Sequence, residues 1–552
     1  MKILLIQPPI QDFYRTSIRT QPIGLAYLAA SLLSHNHKVE ILDCQTEKKE
    51  NIPIPSTLSY LKEFYPFHDR SPFKLYTGFY HFGMDWEEIQ IEIKKSGADV
   101  FGISSSFTPY HGEALEVARI IKEWDKKKIV VMGGSHVSCD PKAVLKSPFV
   151  DYVILGEGEY RLSFLIDCLK NGKQDEIDLI DGIGFKENEE ININRLRSFI
   201  PILDSIQPPE RDLLDLDRYR INKKRSTMII TSRGCPHGCA YCSAHLVMGS
   251  SFRVRSPENI LQEMIECNKK YGIEAFDIED DNFTFDLNRA KRLMGLIIET
   301  FGEGKLELSA MNGISFAALD GELIQLMKKA GFYTLNLSFV STKLSTKERL
   351  KRPQPVAEFG SILREAEKAG LNVVAYAILG IPGQTLEEMV DTLIYLMGKK
   401  VLIGPSVYYP TPGTPLFQQC QKANVLPSHY SQWRSSALPI ETKEFNRLDM
   451  VTLLRLTRVI NFIKGKMDRG ELEGGATLEE ILQTLKDGTS TNGDTPSWKD
   501  LLSILLREES FFSVRKISGN GFSMQSEKTS ERVLDYFLKS GWEKPILGSR
   551  ND

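Results

Sequence analysis

The segment Arg233-Gly-Cys-Pro-His-Gly-Cys-Ala-Tyr-Cys-Ser243 constrains this chain more than any other stretch. Cys235, Cys239 and Cys242 follow the spacing C-x3-C-x2-C, with Tyr241 ahead of the last. Three thiolates this close together can hold three corners of a cubane iron–sulfur cluster and leave its fourth iron without a protein ligand. An open iron can bind and reduce a small molecule, so the pattern points to chemistry. A structural zinc site asks for four ligands, commonly as two C-x2-4-C or Cys/His pairs. No second pair exists: Cys44, Cys139, Cys168, Cys267 and Cys420 are solitary. His237 and His245 are formal candidates for a fourth zinc ligand, but His237 sits inside the first loop, where reaching back is cramped. Gly234, Pro236 and Gly238 make the segment a loop, which argues against three packed core cysteines.

At 552 residues the chain is too long for one core, and three domains are expected. Apolar content of 41% and charge of 26% suit a soluble globular protein. Net charge is −3, from 69 basic and 72 acidic residues, so no nucleic-acid partner is expected. The longest apolar stretch, near Ile23 to Leu33, is too short for a transmembrane segment. The opening Met-Lys-Ile-Leu-Leu-Ile reads as a strand, with no cleavage site of a signal peptide. Unpaired cysteines around a cluster loop fit a reducing cytoplasm.

Residues 1–170 alternate short apolar runs with helical periodicity, the pattern of a doubly wound, Rossmann-like α/β domain. Such sheets bind ligands beyond the carboxyl ends of their strands. Three small, polar loops are expected there: Ser104-Ser105-Ser106, Gly133-Gly134-Ser135-His136 and Gly156-Glu157-Gly158-Glu159. Residues 171–226 read as a connector with a hairpin around Glu187 to Glu190. From 227 to 429 the rhythm resumes with six strand–helix units, several helices stopping at Gly272, Gly331 and Gly370. Six units predict a partial (β/α)6 barrel with its reactive loops at the strands' carboxyl ends. The cysteine loop follows the first strand. Glu279-Asp280-Asp281-Asn282 follows the second and reads as a divalent-metal site or a solvated turn. Residues 430–552 predict a mainly helical cap with a flexible loop at Asp487 to Asp494, either defining substrate or purely structural.

The cysteine loop resembles the radical S-adenosylmethionine (SAM) superfamily, whose signature C-x3-C-x-aromatic-C it matches at every position. The resemblance implies a 4Fe–4S cluster whose open iron chelates SAM. One-electron reduction, from a protein such as flavodoxin or ferredoxin, then yields a 5′-deoxyadenosyl radical that takes a hydrogen atom from substrate. It also implies SAM contacts at Tyr241, Asp280 and Asp281 (amino group), Ser309, Ser338, Ser341, Gly380 (adenine) and Pro382. Val340 and Gln384 stand where the family often has Glu. Tyr409 to Pro415 resembles the family's sixth-strand loop.

The first domain resembles the cobalamin-binding domain of methyltransferases and mutases. Ser104-Ser105-Ser106 precedes Gly133-Gly134 by 26 residues, close to that family's S-x-L to G-G spacing. Pro22 to Ala30 is similar to its first-helix region. Implied cobalamin contacts are Ser104, Ser105, Ser106, Gly133, Gly134, His136, Gly156 and Glu157. The D-x-H-x-x-G motif that supplies a cobalt ligand is absent, so cobalamin would be held without that histidine. His111 and His136 read as cofactor-edge or loop residues. The pair of domains resembles class B radical SAM methyltransferases, implying methylation of an unactivated carbon, less often phosphorus, of a small molecule or lipid. A cyclase forming C–C bonds without net methylation, and an enzyme with a vestigial cobalamin domain, stay open. A methylthiotransferase would need an N-terminal cysteine cluster, and Cys44, Cys139 and Cys168 are too dispersed. A cobalamin sensor would not need the cysteine loop.

Overall fold

Alternate residues of the first strand leave for opposite faces of one sheet. Ile3 and Leu5 enter one buried cluster, Leu4 and Ile6 another, so helices must cover both faces. The computed structural model describes residues 1–14, 21–187, 190–352, 354–485, 496–517 and 521–550. Strands β1 (Lys2–Gln7), β2 (Lys38–Asp43), β3 (Val100–Ser104), β4 (Ile129–Gly133) and β5 (Tyr152–Ile154) pair in parallel, in the spatial order β5-β4-β3-β1-β2. Helices α1 (Ile23–Ser34) and α2 (Glu159–Asn171) pack together on one face. The sheet does not stop at residue 170. The hairpin expected in the connector, β6 (Ile183–Glu187) and β7 (Glu190–Ile193), extends it antiparallel beyond β5.

The barrel strands are β8 (Lys224–Ile229), β9 (Ala275–Ile278), β10 (Glu307–Ser309), β11 (Thr334–Val340), β12 (Asn372–Leu379) and β13 (Leu402–Val407). They form two parallel sets, β8-β9-β10 and β11-β12-β13, joined by bridges Leu308–Phe332 and Ile314–Leu337. Among the described residues nothing pairs β13 with β8, so the barrel stays open there, as six units imply. A short helix, α3 (Leu344–Arg349), follows β11.

Sheet and barrel are locked by buried polar contacts. Gln21, just before α1, accepts from Thr227 Oγ1 (2.7 Å) and the Met228 amide (2.9 Å). Arg434 donates to Asp12 Oδ2 (3.1 Å), the Gln11 carbonyl (2.6 Å) and the Pro109 carbonyl (2.8 Å). The tail is built on α4 (Arg447–Met467), but it is not only helical: Phe512–Lys516 and Phe522–Ser526 form a hairpin. The loop expected at Asp487 to Asp494 lies outside the described residues. Among the described residues no helix is long and apolar enough to cross a membrane.

Candidate active site between sheet and barrel

The cysteine loop leaves β8 through a turn that only glycine permits. Gly234 has φ +82°, and a Cβ there would stand 2.3 Å from the Ser251 carbonyl oxygen. Its amide donates to Asp281 Oδ2 (3.0 Å). The Asp280 carboxylate accepts from the Thr231 amide (2.6 Å), the Thr231 hydroxyl and Ser232 Oγ (2.6 Å). Both carboxylates that the resemblance assigned to the SAM amino group therefore brace the loop leading to Cys235. Burial raises both pKa values, and these hydrogen bonds work against it.

Cys239 is buried, while Cys235 and Cys242 are half-buried. Each sulfur faces an N–H donor: Asn282 Nδ2 to Cys235 (3.8 Å), Arg352 Nη1 to Cys239 (3.8 Å) and the Ala244 amide to Cys242 (3.5 Å). Burial raises the Cys235 thiol and pushes Cys242 up to about 11, so metal binding must displace their protons. Among the described residues no three His, Cys, Asp or Glu side chains converge on one ion. A cubane does not ask for that, because each thiolate takes its own iron. Three thiols, each with a donor, on a loop of fixed glycines suit that group.

The other expected SAM contacts separate. Tyr241 is half-buried against Arg352. Ser309 Oγ donates to Asp277 Oδ1 (2.6 Å). Asp277 lies against Glu279, which also accepts from Asn312 Nδ2 (2.6 Å). Burial, then the Asp277 charge, lifts Glu279 to about 8. Asp277 was missed; its spacing of two from Glu279, as on one side of an extended chain, was the available signal. Ser338 is half-buried near Gly313. A register shift between Ser338 and Val340, with Val340 at φ +70°, sends Ser341 elsewhere. Ser341 is fully buried and donates to Glu388 Oε1 (2.7 Å). Gly380 packs on Met450 and Phe445, and the Pro382 carbonyl accepts from Arg349 (2.6 Å).

A cavity of about 350 Å³ lies between the carboxyl ends of β1, β3, β4 and β5 and the entrance of the barrel. Ser104, Ser105, Ser106, Gly133, Gly134, Gly156 and Glu157 line it from the sheet side, Met228, Ile230, Arg233, Met248 and Glu279 from the barrel side. Gly134 has φ +113°, and a Cβ there would fall 2.7 Å from the Ser105 carbonyl oxygen, so only glycine fits. His136 does not line the cavity. It stands behind it, Nδ1 3.1 Å from Thr108 Oγ1 and its ring 4.2 Å from that of His111, whose Nδ1 lies 3.0 Å from Ser105 Oγ. Burial lowers His136 to about 4 and, with the neighbouring ring, His111 to about 3, so both are neutral braces. The lining includes no histidine or cysteine. Gly24, on α1, borders the cavity, and a Cβ there meets nothing within 4 Å. Gly24→Leu starts from a Cβ that meets no protein atom within 4 Å and reaches into ligand space, and leucine favours a helix over glycine by about 0.5–1 kcal/mol. That variant is expected to melt no lower than wild type yet lose most bound corrin, read from its absorption spectrum.

Glu157 lines the cavity but is no free acid. Its Oε1 accepts from Arg233 Nη1 (2.8 Å), both oxygens from Arg253 Nη1 (2.9 Å), and Oε2 from the Ile200 amide (2.7 Å). Glu159 accepts from Arg233 Nη2 (2.6 Å). These contacts strap the β5 loop to the residue just before Gly234. The pairing of Glu157 and Glu159 with Arg233 and Arg253 was not read from the sequence, where no local pattern links them.

Comparison with known proteins agrees with this geometry. The radical SAM superfamily model matches residues 229–396 and the B12 binding domain model residues 78–166. An uncharacterized methyltransferase of Pyrococcus horikoshii is 28% identical over 474 residues, 85% of this chain and 94% of the relative. Cytidylyl-2-hydroxyethylphosphonate methyltransferase of Streptomyces wedmorensis is 25% identical over 477 residues, 78% and 84% of the two chains. Among solved structures, the cobalamin-dependent SAM radical enzyme OxsB, with aqua-cobalamin and SAM bound, aligns with TM-score 0.60 at 14% identity, covering 89% of this chain and 69% of that one. The methyltransferase TsrM of Kitasatospora setae, with cobalamin and a [4Fe-4S] cluster, aligns with TM-score 0.58 at 18% identity, covering 76% and 75%. The chain is a radical SAM enzyme with an N-terminal cobalamin-binding domain. It is similar to methyltransferases, and the two matched domains imply a 4Fe–4S cluster, SAM and cobalamin as cofactors.

Proposed function

We propose that the protein methylates an unactivated carbon of a small molecule or lipid. The observation that carries this reading is the shared cavity: one wall is the glycine-rich end of the sheet, the other the start of the cysteine loop. Cys235, Cys239 and Cys242 would hold the cluster, and Ser105, Gly134 and Gly24 would cradle the corrin. When bound, these groups supply a hydrogen-abstracting radical and a transferable methyl group. The protein's own contribution is placement and exclusion of water. Asp280 and Asp281 fix the cysteine loop, His111 fixes Ser105, and Glu157 fixes one cofactor's loop to the other's. With no imidazole or thiol in the lining, cobalt would take no such ligand from the described chain. Electrons would come from a flavodoxin or ferredoxin.

Purification without oxygen from cobalamin-supplied cells, with iron, sulfide and corrin analysis, tests the reading. About four irons per chain with one corrin are expected. Iron without corrin, even after soaking, would reduce the first domain to a scaffold and remove methyl transfer through it. Product mass then separates a gain of CH2 from the loss of hydrogen that a ring closure gives.

A further inference from the structure

The other buried arginines named so far each meet a carboxylate: Arg233 and Arg253 pair with Glu157, and Arg434 with Asp12. Arg352 does not follow them. Among the described residues no carboxylate pairs with it, and its Nε is buried with no partner. Its Nη1 instead points at Cys239 Sγ (3.8 Å), with Tyr241 alongside.

The backbone holds it there. Helix α3 ends with Lys351 in the left-handed region (φ +57°), its amide donating to the Glu348 carbonyl (2.9 Å) and that of Arg352 to the Lys347 carbonyl (2.7 Å), a Schellman-type stop. The cysteine loop is tied to the same turn, because the Ala240 amide donates to the Leu350 carbonyl (3.1 Å). A largely buried cation lacking an anion is strongly unfavourable. Its place makes sense if an anion arrives. A cubane held by three thiolates carries net negative charge, and one unit more once reduced.

We propose that Arg352 is a positioning residue that supplies the counter-charge to the cluster through Cys239 and Tyr241 and raises the cluster's reduction potential. The step it favours is the gain of one electron from an external donor such as dithionite or a reduced flavodoxin; no bond forms or breaks. The inference rests on the cluster reading of the three cysteines, which iron and sulfide content of the wild type tests separately.

Redox titration of the reconstituted full chain, followed by electron paramagnetic resonance without SAM, tests it in wild type, Arg352→Lys and Arg352→Met. Removing the charge should shift the reduction equilibrium about tenfold toward the oxidised cluster, about 59 mV lower for one electron. Arg352→Lys should stay nearer wild type. Equal potentials in all three would overturn the inference, and so would lost SAM binding at unchanged potential, which would make Arg352 a SAM contact. Should Arg352→Met fail to load iron, thermal melting of the cluster-free full chain decides. The unpaired cation predicts that Arg352→Met melts at or above wild type, and a lower melting point would make Arg352 a packing residue.

Discussion

Cys239→Ser is expected to lower reductive SAM cleavage at least about a hundredfold. Even groups outside a metal's ligand set are worth about 10–100-fold, and on the proposed assignment Cys239 belongs to the set. It is also the buried member of the three, with Arg352 on its sulfur, so water cannot readily substitute for it. Serine keeps the shape and removes only a soft ligand. Stability should therefore move by no more than about 1 kcal/mol. Corrin content should not change, because the cavity wall proposed to hold it is formed by the sheet and α1. The measurement is 5′-deoxyadenosine and methionine formed under dithionite, alongside iron and corrin per chain. SAM cleavage surviving in Cys239→Ser would sink the assignment of the loop, and a protein that kept only its corrin response would be a sensor.

What the sequence disclosed about this site is local. Cys235 to Cys242 is readable because ligand spacing and turn glycines sit in one loop. The cavity wall is readable because parallel strands must end in loops on one side, which places Ser104–Ser106 and Gly133–Gly134 together. What the sequence hid is long-range or depends on register. Glu157 and Arg253 are 96 residues apart, and Cys239 and Arg352 are 113 apart; no periodicity connects such partners. Side chains alternate along a strand, so a one-residue slip exchanges faces. The shift at Val340 thus sent Ser341 to Glu388. Asp280 and Asp281 show the same limit from another side. An acidic run after a strand looks like a ligand site, and only the folded loop reveals that it also accepts hydrogen bonds from Thr231, Ser232 and Gly234. The hairpin at Phe512–Lys516 was missed because its short strands stand among helical stretches.

Glu157→Ala is expected to cost about 3–5 kcal/mol, the range for breaking a buried ion pair from one side. The side chain of Glu157 is 0% exposed, those of Arg233 and Arg253 5% and 9%. Removing the acid leaves Arg253 without its carboxylate and Arg233 with Glu159 alone. Glu157→Gln keeps the volume and one acceptor, so it should cost less, and adding Arg253→Met to Glu157→Ala should recover part of the loss. Denaturant melts of wild type, Glu157→Ala, Arg253→Met and the double variant measure this, with Glu157→Gln alongside; additive losses would show that the pair is not coupled. The pH dependence has a definite sign. Burial pushes Glu159 up, but the Arg233 charge and hydrogen bond outweigh it and hold it below the usual range. Its contribution to stability is then complete above about pH 4.3 and fades as pH falls through the lower, folded value. The larger consequence concerns the two cofactors. Glu157 stands on the loop that lines the corrin cavity, and Arg233 immediately precedes the cysteine loop. Glu157→Gln changes one residue of the cavity wall without changing its volume and leaves the cysteine loop's own residues in place, yet the strap between the two weakens. Misplacement by about 1 Å can cost about a hundredfold when two groups must meet. SAM cleavage should thus persist while product formation falls about ten- to a hundredfold, raising the ratio of 5′-deoxyadenosine to product. An unchanged ratio would mean that the strap holds the fold together without setting the distance between the two chemistries.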